Sequence, residues 1–163
     1  MAAAPFVLLG AQIQVAAAWT GVAPGAPGTQ TVAGTLTAGV DLSAWGAQVA
    51  LPEKVVQVDA TNFGSGAFRI ILAGIKSLDV GLTFNQDFAA AALDAVLRST
   101  LGGIGVYFYI DVKATSAVRS ATNPSLVAQL LMSDYNPLVG AVGQLANNAY
   151  TWPANGAFTT LIA

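Results

Sequence analysis

Charged residues are confined to the middle of this chain. The first is Asp41 and the last is Asp134, so residues 1–40 and 135–163 contain no Lys, Arg, Asp or Glu. Charged residues make up 9% of the chain, against about a quarter in typical soluble domains. Long uncharged ends are poorly suited to face water alone, and we expect them to contact further copies of the same chain.

The composition excludes several classes of function. The 163 residues fit one domain and include neither Cys nor His, which excludes disulfides, Cys/His zinc sites and catalytic triads with a His base. The net charge is −2, and the six basic residues are spread from Lys54 to Arg119 without a cluster, so tight phosphate binding is not expected. We predict a protein that is not an enzyme and uses no cofactor or metal.

The mean hydropathy is high, at +0.62, yet the apolar N-terminal stretch does not have the pattern of a membrane segment. Gln12 and Gln14 interrupt it, and no positive residues precede it. A spanning helix needs about 20 mostly apolar residues, and a signal peptide begins with positive charge. We therefore expect a cytosolic chain, complete from Met1, with no cleaved signal and no membrane insertion.

The uncharged N-terminal region predicts a long hairpin. Residues 6–19 form a candidate strand, residues 20–28 (TGVAPGAPG) a loop and residues 29–36 a returning strand. A solvated hairpin usually carries charge on its outer face, so docking on a neighbouring subunit is favoured over packing on the chain's own core. The candidate assembly interface consists of Phe6, Leu8, Ile13, Val15, Trp19, Val32 and Leu36.

Residues 75–85 (IKSLDVGLTFN) show the clearest strand alternation. Its apolar face is formed by Leu78, Val80, Leu82 and Phe84. The opposite, polar face includes Ser77, Asp79, Thr83 and Asn85. One face is predicted to be core, and the other to meet either bulk solvent or an aqueous channel.

One helix is predicted over residues 87–101, where Asp87 is a candidate N-cap and Gly102 a helix stop. Asp94 and Arg98 are spaced to form an ion pair across one turn. Further strands are predicted at residues 48–60, 105–113, 126–135, 144–152 and 158–162. The fold class is therefore mainly β (α+β), a β-sandwich or half-barrel with one flanking α-helix.

No motif indicates chemistry. Gly64 and Gly66, and Gly102 and Gly103, do not complete a nucleotide-binding loop and are interpreted as turns. The carboxylates have no calcium-loop spacing. The three Trp and four Tyr residues suit a core or interface, although a carbohydrate-binding platform is an alternative.

Four segments, taken in order, resemble the small tail tube proteins of long-tailed bacteriophages, particularly those that infect actinobacteria. The first segment runs from VDLS at residue 40 to VDAT, and the second from GIKS at residue 74 to FNQD. The third runs from TSA at residue 115 to SATNP. The fourth runs from YNPL at residue 135 through VGQLA to TWP. The likeness covers residues 40–163, which are predicted to be the tail-tube-like domain. Residues 1–39 are predicted to be an additional N-terminal hairpin for intersubunit contact.

The resemblance implies a virion structural protein. Members of that family form six-membered rings whose strands complete a β-barrel, and the rings stack into a hollow tube through which DNA passes. The expected partners are further copies of the chain, other phage tail proteins and DNA that slides without specific binding, and the expected location is the virion tail after assembly in the host cytoplasm. The alternatives are a head-decoration or other minor virion protein and, less favoured, a carbohydrate-binding β-sandwich.

Overall fold

The computed structural model describes residues 10–24, 33–62, 64, 68–89, 92–142 and 146–162. Within them the chain is mainly β, with one short helical segment, which confirms the prediction of a mainly β fold. The candidate interface residues Phe6, Leu8 and Val32 lie outside the described residues.

Five antiparallel strands form the first sheet, in the order β11-β9-β8-β1-β4. Their bounds are Gln12–Ala16 for β1, Val40–Asp41 for β4, Tyr107–Lys113 for β8, Ser125–Leu131 for β9 and Thr159–Leu161 for β11. The second sheet has the order β10-β7-β5, and β6 pairs with the first half of β7. Its strands are Gly46–Ala50 for β5, Glu53–Asp59 for β6, Ile71–Asn85 for β7 and Asn147–Pro153 for β10.

The two sheets are open and share one hydrophobic core. β7 contributes alternate side chains to it, because successive residues of a strand point to opposite faces. The predicted apolar face of this strand is confirmed: Leu78, Val80, Leu82 and Phe84 are buried. Facing side chains come from the first sheet, including Phe108, Ile110 and Leu130. Phe108 meets Trp152 edge to face, with ring centroids 5.4 Å apart.

The predicted helix is much shorter than expected. Helix α1 covers Leu93–Ala95 and continues into a π-helical turn at Val96–Thr100, and residues 90 and 91 are outside the described part. Asp87 is not the N-cap, because the cap position is Ala92 in an extended conformation. The Asp87 carboxylate instead accepts hydrogen bonds from the Ala89 backbone N–H and the Trp45 indole N–H. The predicted Asp94–Arg98 ion pair is present at 3.2 Å.

The predicted N-terminal hairpin has a different pairing. The first strand breaks at Ala17, so that β1 joins the main sheet between β8 and β4. Only the second part, β2 (Ala18–Val22), forms a hairpin with β3 (Ala33–Thr37). The alternating burial of β1 explains the break, because Ile13 and Val15 complete the core while the residues after Ala17 turn away from it.

Candidate assembly surfaces

The interface residues predicted in β1 are core residues in this structure. Ile13 is 4% exposed and Val15 is fully buried, and β1 is hydrogen-bonded along both edges, to β8 and to β4. A neighbouring subunit cannot reach these side chains without opening the sheet. The assignment of Ile13 and Val15 to an intersubunit surface is therefore corrected, and both residues stabilise the chain's own fold.

The β2–β3 hairpin, which contains the predicted interface residues Trp19 and Leu36, is docked on its own chain. The Trp19 ring lies 5.9 Å from that of Tyr109 in β8, and Leu36 is buried. Arg119 donates a hydrogen bond to the carbonyl oxygen of Gly34 at 3.4 Å, and its guanidinium lies 3.3 Å from the Asp111 carboxylate. The hairpin therefore offers a partner its outer side rather than these two predicted residues.

Among the described residues, a β-hairpin extends beyond the core with most of its large apolar side chains exposed. It comprises β6, the first half of β7 up to Lys76 and the described residues between the two strands (60–62, 64 and 68–70), and is called the arm. Every residue of β6 is exposed, and in the first half of β7 only Gly74 is partly covered. Since β7 continues into the core at Leu78, the arm is a direct extension of a core strand.

Apolar side chains cover both faces of the arm. Phe68 is 83% exposed and Ile75 81% exposed. The other large apolar residues that the arm exposes are Val55, Val56, Val58, Ile70, Ile71 and Leu72. A solvated two-stranded ribbon with apolar groups on both sides is marginal in water, so this surface has the character of one that becomes buried by a partner.

The sequence carries a signal for the arm that differs from the alternating pattern of residues 75–85. Residues 70–72 (Ile, Ile, Leu) and Val55–Val56 place large apolar groups at consecutive positions. Because consecutive strand residues point to opposite faces, such runs indicate strands covered on both sides. The period-2 pattern begins only after Lys76, where the core begins. The change of pattern within β7 therefore marks the boundary between arm and body.

The predicted polar face of β7 is accessible in this structure. Ser77 is exposed, whereas Asp79, Thr83 and Asn85 are partly exposed. Lys54 Nζ lies 3.6 Å from Asp79 Oδ2, so the single negative charge on this face has a positive neighbour. Cross-strand neighbours extend the small polar surface on either side, with Gln48 and Ala149 beside Thr83. The face is therefore made of small and polar side chains and is close to neutral.

A second set of exposed apolar residues lies in the segments that follow β7 and β9 along the chain. It is called the end patch and consists of Phe88, Ile104, Leu138, Val139 and Val142. Tyr135 lies next to one of these residues, Ile104. It shares a shallow cavity of about 330 Å³ with Ile104 and Arg98, and its hydroxyl accepts a hydrogen bond from Gln86, two residues before Phe88.

The Tyr135 side chain is fixed by polar contacts. Tyr135 donates its hydroxyl proton to Asp94, and Arg98 lies over its ring at 5.4 Å. Burial, followed by the contact with Asp94, raises the pKa of Tyr135. The hydrogen bond from the Ala89 N–H and then that from Trp45 lower the pKa of Asp87, which stays an anion beside the patch at neutral pH.

Within the described residues, carboxylates do not gather into groups of three or more that could hold a metal ion. None of the helical segments described there has the length and apolar content needed to cross a bilayer. A scan against protein-family models finds no match, and a search of curated proteins finds no similar sequence.

Proposed function

We propose that this chain is a self-assembling virion structural protein, the tail tube subunit of a long-tailed phage. Copies would form stacked rings, of six members by the resemblance, around a channel for DNA. In such a ring, each two-sheet subunit would act as a half-barrel, and its strands would complete one continuous barrel. The observation that carries the proposal is the arm, whose two apolar faces have no partner within the described chain.

The low proportion of charged residues, 9% of the chain, also supports self-assembly, since charged residues are depleted at interface cores.

Negative-stain electron microscopy of the purified chain, over a range of concentrations, tests this function. We expect hollow tubes or six-fold rings above a threshold concentration. Monomers at every concentration would contradict the proposal, and binding of those monomers to empty phage heads would instead identify a head-decoration protein.

The polar face of β7 is proposed to line the channel, through Ser77, Asp79, Thr83 and Asn85. A surface made of small hydrophilic side chains without clustered positive charge does not retain phosphates, so DNA can slide along it. The ion pair between Lys54 and Asp79 makes this wall less acidic than the sequence alone suggested.

Single-cysteine labelling tests the channel assignment, because the chain contains no other Cys. A Thr83→Cys variant is expected to react with a small maleimide both as monomer and as tube. A maleimide carried on a polymer too large to enter the channel should label the monomer but not the tube wall. Equal labelling of monomer and tube by the large reagent would place this face on the outside.

A further inference from the structure

We infer that Asn155 is a site of spontaneous deamidation, in which the backbone nitrogen of Gly156 displaces the side-chain nitrogen of Asn155. Both residues lie in the short connection between β10 and β11, and the chemistry does not depend on assembly. Asn155–Gly156 is the only Asn-Gly pair in the sequence, which contains no Asp-Gly pair. Asparagine is one of the thermolabile residues of proteins.

The reaction proceeds through a cyclic imide. The Gly156 nitrogen loses its proton and forms a bond to Cγ of Asn155, and the bond from Cγ to Nδ2 then breaks with release of ammonia. Water opens the resulting succinimide at either carbonyl carbon, which leaves aspartate or isoaspartate at position 155. The sum is an amide and water giving a carboxylic acid and ammonia, without oxidation or reduction.

The fold favours glycine after Asn155 and leaves both residues accessible. Gly156 has a φ of 100°, a conformation that residues with a side chain adopt only with strain. Because glycine has no Cβ, its nitrogen is also little hindered as a nucleophile. Asn155 and Gly156 are both exposed, and the Gly156 N–H has no hydrogen-bond acceptor among the described residues. The attacking nitrogen is therefore available.

Open cavities bring solvent and charge to the reacting groups. Gly156 borders a cavity of about 100 Å³ that is also lined by Glu53 and Lys76. Neither charged side chain has an ion-pair partner within the described part of the chain. The carboxylate can accept the amide proton through water, and the ammonium favours the negative charge that develops in the reaction. Asn155 borders a second cavity, of about 130 Å³, beside Tyr107.

The hydrogen bonds around Asn155 can accommodate the aspartate product. Nδ2 of Asn155 donates to Oε1 of Gln129 at 2.7 Å, and Nε2 of Gln129 donates to the Tyr109 hydroxyl at 3.0 Å. A carboxylate at position 155 has no proton to donate, so Gln129 would turn its amide and donate to it. The Tyr109 hydroxyl would then donate to Gln129, since a hydroxyl both donates and accepts. Deamidation thus adds a negative charge to residues 135–163, which otherwise have none.

Peptide mapping by mass spectrometry measures the reaction in the folded chain during incubation at mildly alkaline pH. Digestion in water that contains heavy oxygen marks any conversion that occurs after the incubation. We expect Asn155 to convert at least about tenfold faster than Asn85 or Asn148, because each of these precedes a residue with a Cβ. Asn136 is the internal control and should not convert, because the nitrogen of Pro137 has no hydrogen to lose.

Substitutions test the site and its neighbours. An Asn155→Gln chain keeps a side-chain amide but lengthens the side chain, and it should show no measurable conversion at this position over the same period. Lys76→Gln removes the cation beside Gly156 and is expected to slow conversion by about threefold or more, through lost stabilisation of developing charge. Arg69→Gln is the matched control, because Arg69 belongs to the same arm but does not line this cavity. It should leave the rate unchanged.

Conversion of Asn155 no faster than that of Asn85 or Asn148 would overturn the inference. Equal rates in the Lys76→Gln and Arg69→Gln chains would overturn the role of Lys76, while rapid conversion in both would still support the site. Neither result bears on self-assembly, which electron microscopy tests separately.

Discussion

An Ile75→Asp chain is expected to remain dispersed at the concentrations at which the proposed wild-type tubes would form. Ile75 is 81% exposed in the arm, so the substitution removes no contact within the monomer. In an assembly, however, an aspartate there would be buried in an apolar contact, and an unpaired buried charge costs about 2–5 kcal/mol. That corresponds to at least about a 30-fold weaker contact at each interface, and a polymer repeats the loss at every subunit.

Light scattering and electron microscopy over a concentration series measure this effect, and thermal unfolding of the monomer serves as the control for the fold. The melting temperature is expected to change little, because surface substitutions usually alter stability by less than about 0.5 kcal/mol. Tubes formed by the Ile75→Asp chain at the wild-type threshold would show that the arm is not an assembly surface.

The second large effect is expected from Phe84→Ala, which should lower the free energy of unfolding by about 3–5 kcal/mol, as large aromatic truncations in cores do. Phe84 is fully buried between the two sheets. The neighbouring Thr83→Ala is the matched control, since it lies on the same strand but on the opposite face. That change is expected to cost less than about 1 kcal/mol, which is the span of strand propensities.

Urea unfolding of both variants measures the difference, and it is best done in the Ile75→Asp background. Only folded subunits can assemble, so in a chain that still assembles the apparent free energy of unfolding would include a contribution from assembly. Losses of similar size for the two substitutions would contradict the division of β7 into a core face and a polar face.

The sequence predicted the core face of β7 correctly because one-sided burial produces a strict period of two. Leu78, Val80, Leu82 and Phe84 alternate with small or polar residues, and no other arrangement buries all four. The Asp94–Arg98 pair was predictable for a similar reason, since it depends only on spacing along one turn. In both cases, neighbouring residues alone determine the outcome.

The errors occurred where distant contacts outweigh local preference. The Ala-rich segment after Asp87 favours helix intrinsically, but Asp87 is held by Trp45, 42 residues away along the chain, and helical structure begins only at Leu93. The uncharged N-terminal strand was assigned to a neighbour because composition does not distinguish burial in the chain's own core from burial against another copy. Ile13 and Val15 belong to the former.

The arm was missed as a surface for the same reason. Its apolar residues predict strands, and strands form, but only the structure shows that β6 and the first half of β7 are exposed rather than buried. The candidate assembly surface therefore moved from the N-terminal hairpin to the arm and the end patch, which sequence reasoning had not singled out.

The orientation of the arm is fixed by the core, because β7 runs without a break from one into the other. The second half of β7 is held in the second sheet between β10 and β5, and its apolar face packs in the core from Leu78 to Phe84. Its first half projects about 20 Å. A tilt of about 5° in the second half would move the far end by about 2 Å, given that length. The angle between one subunit and the next would therefore depend on packing inside the core. A change of side-chain volume at Leu78 or Val80 would tilt the arm and so alter the curvature and pitch of the assembly.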